Sequence, residues 1–586
     1  MNIVLLETVS NQPFLFSSNK LREVVGASEM ILRVGTRFFL EAVDQIRSEH
    51  SRALGVDAPG ALGSLWDQSN ELGPALTGQD GRALNPPIED EGSTVEVIVA
   101  ASGKSLAIVR SPEMGRRLVR LVTLRAAKEA PGVAIHGAVS ADFEFEQTPV
   151  HEQVQDAFRK HLAARGQLPS VDARFARLPV VASCTTSGLP AAVYDTEVPK
   201  GQRGQARSFV TMKKRGLGRE EVARDRASRL GCTRLACNLE ELENEYEWFG
   251  VVHADGNGFG RMFQEFHEYA QVKEASQYRC YLKRLRDFSL QLDHCTQEAF
   301  RRAVNWYAQE REVSCEEPIR LVPLVVAGDD LTVVCDGTLA AAFAERFLRE
   351  FEELSRDAER FPMLVKIGTQ AFGRPGLAAC AGVAVVKPHF PFYAAYDLAE
   401  QLAEHAKQVK DKVYRKEPQD TACSALDVYV HTMSSNADLG AIREQLRVGT
   451  TVLYGGPYLV TPEDWLDGLD PASQRWIEPR RWSGMVARVC RLREADPDDP
   501  SRQRLPNSLL HRIRERLYEG PAATDGYVRQ VQGRYPTLKG LLNARESMFW
   551  SEDRQEFRDR TGSDSVGQVT TMLDALSLMK LWVSGP

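Results

Sequence analysis

The chain is poor in the features that mark secreted, disulfide-stapled or membrane-spanning proteins. It holds ten cysteines in 586 residues. Several of them, Cys295, Cys335, Cys380 and Cys490, fall inside apolar stretches, and thiols scattered in this way point to a reduced, cytoplasmic protein. No apolar run approaches the roughly 18 residues of a membrane span. The opening "MNIVLLETVSNQPFLFSSNK" lacks the basic n-region and apolar core of a signal peptide, so no membrane partner is expected. Charge of one sign is not in excess either: 73 Lys and Arg face 80 Asp and Glu, a net charge of -7. That excludes a wholesale polyanion binder and leaves local basic patches open.

What is present is an ordinary globular composition, 43% hydrophobic and 26% charged. The length calls for three or four units at roughly 100 to 200 residues each. Residues 1–149 read as strand, helix, strand-turn-strand, helix, strand: "NIVLLET", "SNKLREVVGASEMILRVGTRFFLEAVDQI", "TVEVIVAASGKSLAIVRS", "PEMGRRLVRLVTLRAAKEA" and "GVAIHGAVSADF". Ser111 and Pro112 open the second helix. This βαββαβ order is the ferredoxin-like arrangement. A Gly-, Pro- and Asp-rich stretch at about 55–94 reads as an inserted loop.

The order returns over residues 247–429. The strand "WFGVVHAD" leads to a helix at about 274–308, a hairpin over 321–336, a helix at about 339–356 and the strand "AACAGVAVV". Leu285, Phe288, Leu292 and Ala299 form one helical stripe, and Phe343, Phe347, Phe351 and Leu354 another, both as core positions. The expected class is therefore α+β: two ferredoxin-like (βαββαβ) domains, a mixed linker domain over 150–246, and a mainly helical domain over 430–586. In the linker, residues 200–230 carry ten Lys or Arg against three acids. They are either a solvated face or a contact strip for RNA phosphates.

Chemistry concentrates in the second copy. "VVHADGNGFGRMF" ends a strand at Asp255 and continues through Gly256, Asn257, Gly258, Phe259 and Gly260, a turn whose backbone N–H groups can approach phosphate oxygens. In a βαββαβ sheet the first strand lies beside the central hairpin, so Asp255 should face Asp329 and Asp330, 74 and 75 residues later. Three carboxylates gathered there repel one another unless a divalent cation neutralises them. Mg²⁺ takes such oxygen ligands and shares them with substrate phosphates. Taken alone, Gly328-Asp329-Asp330 is also ordinary hairpin chemistry.

These motifs resemble the large, palm-domain subunit of type III CRISPR effector complexes, the CRISPR polymerase, over most of residues 1–460. The carriers are "HADGNGFGRMF", the hairpin Ala327-Gly328-Asp329-Asp330 in place of Gly-Gly-Asp-Asp, "CAGVAVVKPHFPFYAAYDLAEQLAEHAK", similar also to the GGDEF cyclases, and "FLFSSNKLREVVGASEMI" in the first copy. The resemblance implies Asp255, Asp329, Asp330 and the carbonyl of Gly256 as ligands of two Mg²⁺ or Mn²⁺ ions. It implies Asn257, Gly258, Phe259 and Gly260 around a triphosphate, Gly328 beside the nucleotide, and Lys407 on phosphate. It implies ATP as substrate, joined 3′ to 5′ into cyclic oligoadenylates for antiviral signalling, with RNA and other complex subunits, or a stand-alone assembly, as partners.

Departures qualify that picture. The first copy's hairpin, Ala101-Ser102-Gly103-Lys104, has no carboxylates, so that palm is expected to be silent and at most to supply an acceptor nucleotide pocket. Where relatives carry a zinc ribbon, "SCTTSGLPA" offers Cys184 without a near partner. Cys232 and Cys237 are separated by four residues, so no structural zinc is expected. No His-Asp dipeptide occurs, so a variant without the family's HD nuclease is expected. Two other functions remain open: an RNA-binding scaffold without catalysis, and a palm cyclase with another product.

Overall fold

The computed structural model describes residues 1–581 except 56–59, 67–68, 80–83, 146, 167–172, 174, 176, 197–202, 237–245, 273, 433–437, 496–502 and 553. Strands β1 (Asn2–Val9), β2 (Val95–Ala101), β3 (Lys104–Val109) and β4 (Ala134–Val139) form an antiparallel sheet in the order β2-β3-β1-β4. That is the ferredoxin-like order expected for the first palm. Helices Leu21–Arg33 and Phe39–Leu54 occupy the first crossover, and Pro112–Glu129 the second. Ser111 caps the latter, its hydroxyl accepting from the Met114 N–H at 3.3 Å.

The stretch expected as an inserted loop is partly helical. Helix Ser69–Thr77 lies within it, and Leu62, Leu65, Leu72, Ala75 and Leu76 are buried with Leu40 and Val43 in the first palm's core. Leu72, Ala75 and Leu76 have the i, i+3, i+4 spacing of a helical stripe, which the surrounding Gly and Pro obscured.

The linker contributes helix Val150–Arg165, a ribbon of β5 (Val193–Asp195) with β6 (Gln205–Arg207), and helices Phe209–Leu217 and Glu220–Arg229. Here the basic segment departs from both expectations, because much of it is internal. Arg207 and Arg215 lie 3.4–3.8 Å from the carboxylates of buried Glu23 and Asp195. Lys214, also buried, donates to the Phe14 carbonyl and to Ser17 Oγ. Arg226 donates to the Leu324 carbonyl at 2.6 Å, and Arg229 pairs with Glu29 at 2.7 Å. These cations bind the linker to the first palm and, through Leu324, to the second.

The second palm is a longer sheet. Strands β7 (Phe249–Gly256), β8 (Val322–Ala327), β9 (Asp330–Asp336) and β10 (Ala379–Val386) keep the ferredoxin-like order, and β11 (Ala425–Val430) runs parallel to β10. The C-terminal region adds β12 (Arg447–Val448), β13 (Thr451–Val452), β14 (Tyr458–Leu459), β15 (Trp550–Glu552) and β16 (Gly567–Val569) among its helices. β14 pairs with β11, so the full order is β14-β11-β10-β7-β9-β8. The segment "YGGPYLVTPED" thus supplies an edge strand to the second palm's sheet. The remaining four strands make a small sheet β12-β13-β16-β15, so this region is helical with a β element. Among the described residues no helix is long and apolar enough to cross a membrane.

Two layers cover the second sheet. Val252, Ala254, Leu331 and Val333 pack with helices Tyr278–Glu310 and Ala340–Ser355 on one face. Phe249, Val251, Val334 and Ala384 pack with helix Phe392–Ala406 on the other. Both predicted stripes are buried in the first layer. The palms meet where the Phe16 ring packs tilted against Tyr396, at 4.1 Å between centroids, and where Arg226 reaches Leu324. Replacing Arg226 with Ala removes charge-assisted hydrogen bonds from this buried contact, and the expected loss is about 2 kcal/mol, measured as a lowered urea midpoint.

Candidate functional site: three carboxylates at the end of a central strand

Alternation along β7 places His253 and Asp255 on the face covered by helix Phe392–Ala406. On β9, Asp330 and Thr332 share that face, and His253 Nδ1 lies 3.0 Å from Thr332 Oγ1. The β7–β9 register runs to Ala254 opposite Leu331. One step further, Asp255 meets Asp330, as the fold order predicts.

The carboxylates interact strongly. Burial works to raise Asp255, but the Lys407 ammonium, in direct contact with Asp255 Oδ2, holds it below the usual carboxylate value. Burial and the Asp255 charge push Asp329 up to about 7. Asp330 is raised well above its ordinary value by burial, then by Asp255 and Asp329. Asp330 stands at the exposed hairpin tip, beside two negatively charged neighbours. Among the described residues no three acidic, imidazole or thiol groups close around one point at metal-ligand distance. Asp255 is instead turned onto Lys407, and its charge acts on both other aspartates. An all-oxygen donor set whose acids shed their mutual repulsion through protons or a cation fits a hard divalent ion.

The glycine turn lies at the same end of β7. Gly256 pairs with Ala379 of β10. Gly258, at φ 83°, opens the short helix Phe259–Gln264, and Gly260 is exposed. Asn257 and Phe259 are buried; Asn257 Nδ2 donates to the Cys423 carbonyl at 2.9 Å. These two side chains hold the turn from inside, so what the turn presents outward is its backbone. Lys407 follows helix Phe392–Ala406, which approaches closely because a Cβ on Gly382 would lie 1.9 Å from the Ala399 carbonyl oxygen.

Two residues of this site are not found by motif. Asp293 and Thr296, on helix Tyr278–Glu310, bind the hairpin glycine: Gly328 N–H donates to Asp293 Oδ1 at 2.9 Å, and Thr296 Oγ1 donates to the Gly328 carbonyl at 2.5 Å. Burial raises Asp293 to about 6. The available signal is a polar pair inside a helix face whose neighbours Leu292, Cys295 and Ala299 are core.

The first palm shows why its copy is different. Glu7 pairs with Lys104 across β1 and β3, the register positions of Asp255 and Asp330. A carboxylate survives there, but a cation stands where the second palm has an acid. Glu7 Oε2 lies 3.5 Å from His161 Nε2. In the linker, Cys184 is surrounded by hydroxyls: Thr211 Oγ1 is 3.4 Å from its sulfur, and Ser208 Oγ donates to Thr211 Oγ1 at 3.0 Å. Burial acts to raise this thiol, yet the Ser187 and Thr211 hydroxyls bring it down to about 6. Cys232 is buried, and Cys237 lies outside the described residues.

Residues 248–414 match the family described as Cas10/Cmr2, second palm domain. No curated protein sequence matches. Among solved structures, all of this chain aligns with 70% of a chain from the Csm1-Csm4 cassette in complex with cA4, at 11% identity and a TM-score of 0.45. Likewise 99% aligns with 69% of Csm1 in T. onnurineus, at 11% identity and a TM-score of 0.46. A chain of the Csm1-Csm4 subcomplex in the type III-A CRISPR-Csm interference complex aligns over 71% of this chain and 54% of its own length, at 12% identity and a TM-score of 0.35. The family match spans the strand, turn, hairpin and lysine just described: residues 248–414 are similar to the Cas10/Cmr2 second palm domain.

Proposed function

We propose that the second palm is a metal-dependent nucleotidyltransferase that joins ATP 3′ to 5′ into cyclic oligoadenylates for antiviral defence, in concert with RNA and other subunits of a type III effector complex. The observation that carries this reading is the meeting of Asp255 with Asp329 and Asp330 inside a Cas10/Cmr2-type second palm. The structures of similar chains include complexes with cA4 and with one ATP, which favours adenine nucleotides here.

In this reading Asp255, Asp329, Asp330 and the Gly256 carbonyl hold two Mg²⁺ or Mn²⁺ ions. When bound, such ions activate a 3′-hydroxyl and stabilise the charge on departing pyrophosphate. The chain's own groups bind and orient. The backbone at Gly258 and Gly260 faces the triphosphate, Gly328 leaves room beside the nucleotide, and Lys407 offers an ammonium at the pocket edge once Asp255 is otherwise neutralised. One O3′–Pα bond forms, one Pα–O bond to pyrophosphate breaks, and the hydroxyl proton is released. The first palm, with Lys104 opposite Glu7, serves as a nucleotide-holding partner without metals. For the alternative of an RNA-binding scaffold, the basic stretch offers less free surface, because Arg207, Lys214, Arg215, Arg226 and Arg229 are engaged within the protein.

Two outcomes test this. With ATP and Mn²⁺, and with and without partner RNA, products separated by mass should include cyclic oligoadenylates. The Asp329→Ala, Asp330→Ala double variant should lose roughly 100-fold or more of the rate with an unchanged circular dichroism spectrum; undiminished product would place the chemistry elsewhere. Second, a protonated carboxyl must release its proton before ligating a metal, and Asp329 titrates at about 7. Mn²⁺ affinity should therefore rise between about pH 6 and pH 8. Calorimetry in two buffers of different ionisation enthalpy counts the protons released at about pH 6.5; a count of zero argues against these ligands.

A further inference from the structure

The hairpin that carries Asp329 and Asp330 is held from behind. Asp330, with Thr332, belongs to the face covered by helix Phe392–Ala406, whereas Asp293 and Thr296 belong to helix Tyr278–Glu310 on the opposite face. Being three residues apart, they project from the same side of their helix. One accepts from the Gly328 N–H, the other donates to the Gly328 carbonyl. Both polar groups of one residue are thus fixed by one helical turn. Gln297, one residue on, donates to the second oxygen of Asp293 at 2.7 Å. Gly328 itself is left-handed, at φ 61°. A Cβ there would meet nothing within 4 Å, so its conformation, not lack of space, needs defining.

We propose that Asp293 and Thr296 are positioning residues for the metal-binding hairpin: they lock the Gly328 peptide from the rear face and so set where the Asp329 and Asp330 carboxylates point. The proposal rests on the reading of that hairpin as a metal site. In this role Asp293 acts through the Gly328 backbone. A purely structural role, satisfying a buried helix face, would affect stability and leave metal affinity alone. Outer groups that orient ligands instead typically change metal affinity by about 10- to 100-fold when removed.

The test uses the full chain with Asp293→Ala, Asp293→Asn, Thr296→Val and Thr296→Ser, each checked for folding by near-ultraviolet circular dichroism. Mn²⁺ affinity is measured by calorimetry, and hydrogen exchange by mass spectrometry on peptides covering residues 325–332. Asp293→Ala should weaken Mn²⁺ binding roughly 10-fold or more and speed exchange in those peptides. Asp293→Asn keeps an acceptor for the Gly328 N–H and should recover most of both. Thr296→Val should loosen the hairpin, and Thr296→Ser should restore it. If the Ala variant fails to fold, the Thr296 pair decides by the same comparison. Unchanged affinity and exchange in the folded Ala or Val variant overturns the proposal, as does a conservative variant no better than its disruptive counterpart. A wild type that binds no Mn²⁺ sinks the metal reading alone; the exchange data then decide whether Asp293 and Thr296 set the hairpin.

Discussion

The structure turns on one antiparallel pairing, β7 against β9, which brings Asp255 beside Asp329 and Asp330 although like charges oppose it. Local propensity cannot hold three acids together. What does is the burial on both sides of the sheet: Val252, Ala254, Leu331 and Val333 beneath one helical layer, Phe249, Val251 and Val334 beneath the other. The cost of gathering the acids appears as raised Asp329 and Asp330 carboxyls. Lys407 relieves only Asp255. Acids pushed towards protonation in this way lose their repulsion when a cation takes the proton's place, and pKa perturbations of this kind concentrate where chemistry occurs.

Several features distant from the carboxylates serve the same corner. Gly382 lets helix Phe392–Ala406 approach β10, which puts Lys407 at the end of β7. Phe16 of the first palm packs on Tyr396 of that helix, and Lys214 fixes the Phe14–Ser17 segment through a carbonyl and a hydroxyl. The basic linker therefore contributes by joining the palms. Buried cations bonded to carbonyls and carboxylates make that joint costly to open. The two palms then differ by a simple substitution of charge: acid opposite acid in the second, Glu7 opposite Lys104 in the first.

Much of this was legible in the residues. Alternating strands, amphipathic stripes and the Ser111-Pro112 start gave two βαββαβ units, and fold order then predicted which strand would flank the hairpin. The extra strands were not legible. β14 has only two residues and sits in a Gly- and Pro-rich segment, so its place at the sheet edge comes from pairing with β11. The helix in the presumed loop was hidden similarly, since its apolar stripe spans little more than one turn. The destinations of the basic residues could not be read either, because nearby sequence does not contain their acids: Glu23 and Glu29 lie in another domain, about 200 residues earlier.

The sequence by itself determined the chemistry available: three aspartates, a glycine turn, a lysine, and a first copy whose hairpin lacks acids. Those depend on residue identity and short spacing, which local rules read well. Tertiary structure decided how the parts are used. It turned Asn257 and Phe259 inward, placed Lys407 on Asp255, buried the linker cations, and set Asp293 and Thr296 behind Gly328. Each of these joins positions far apart in the chain, and such contacts follow from packing between layers, which no local pattern encodes.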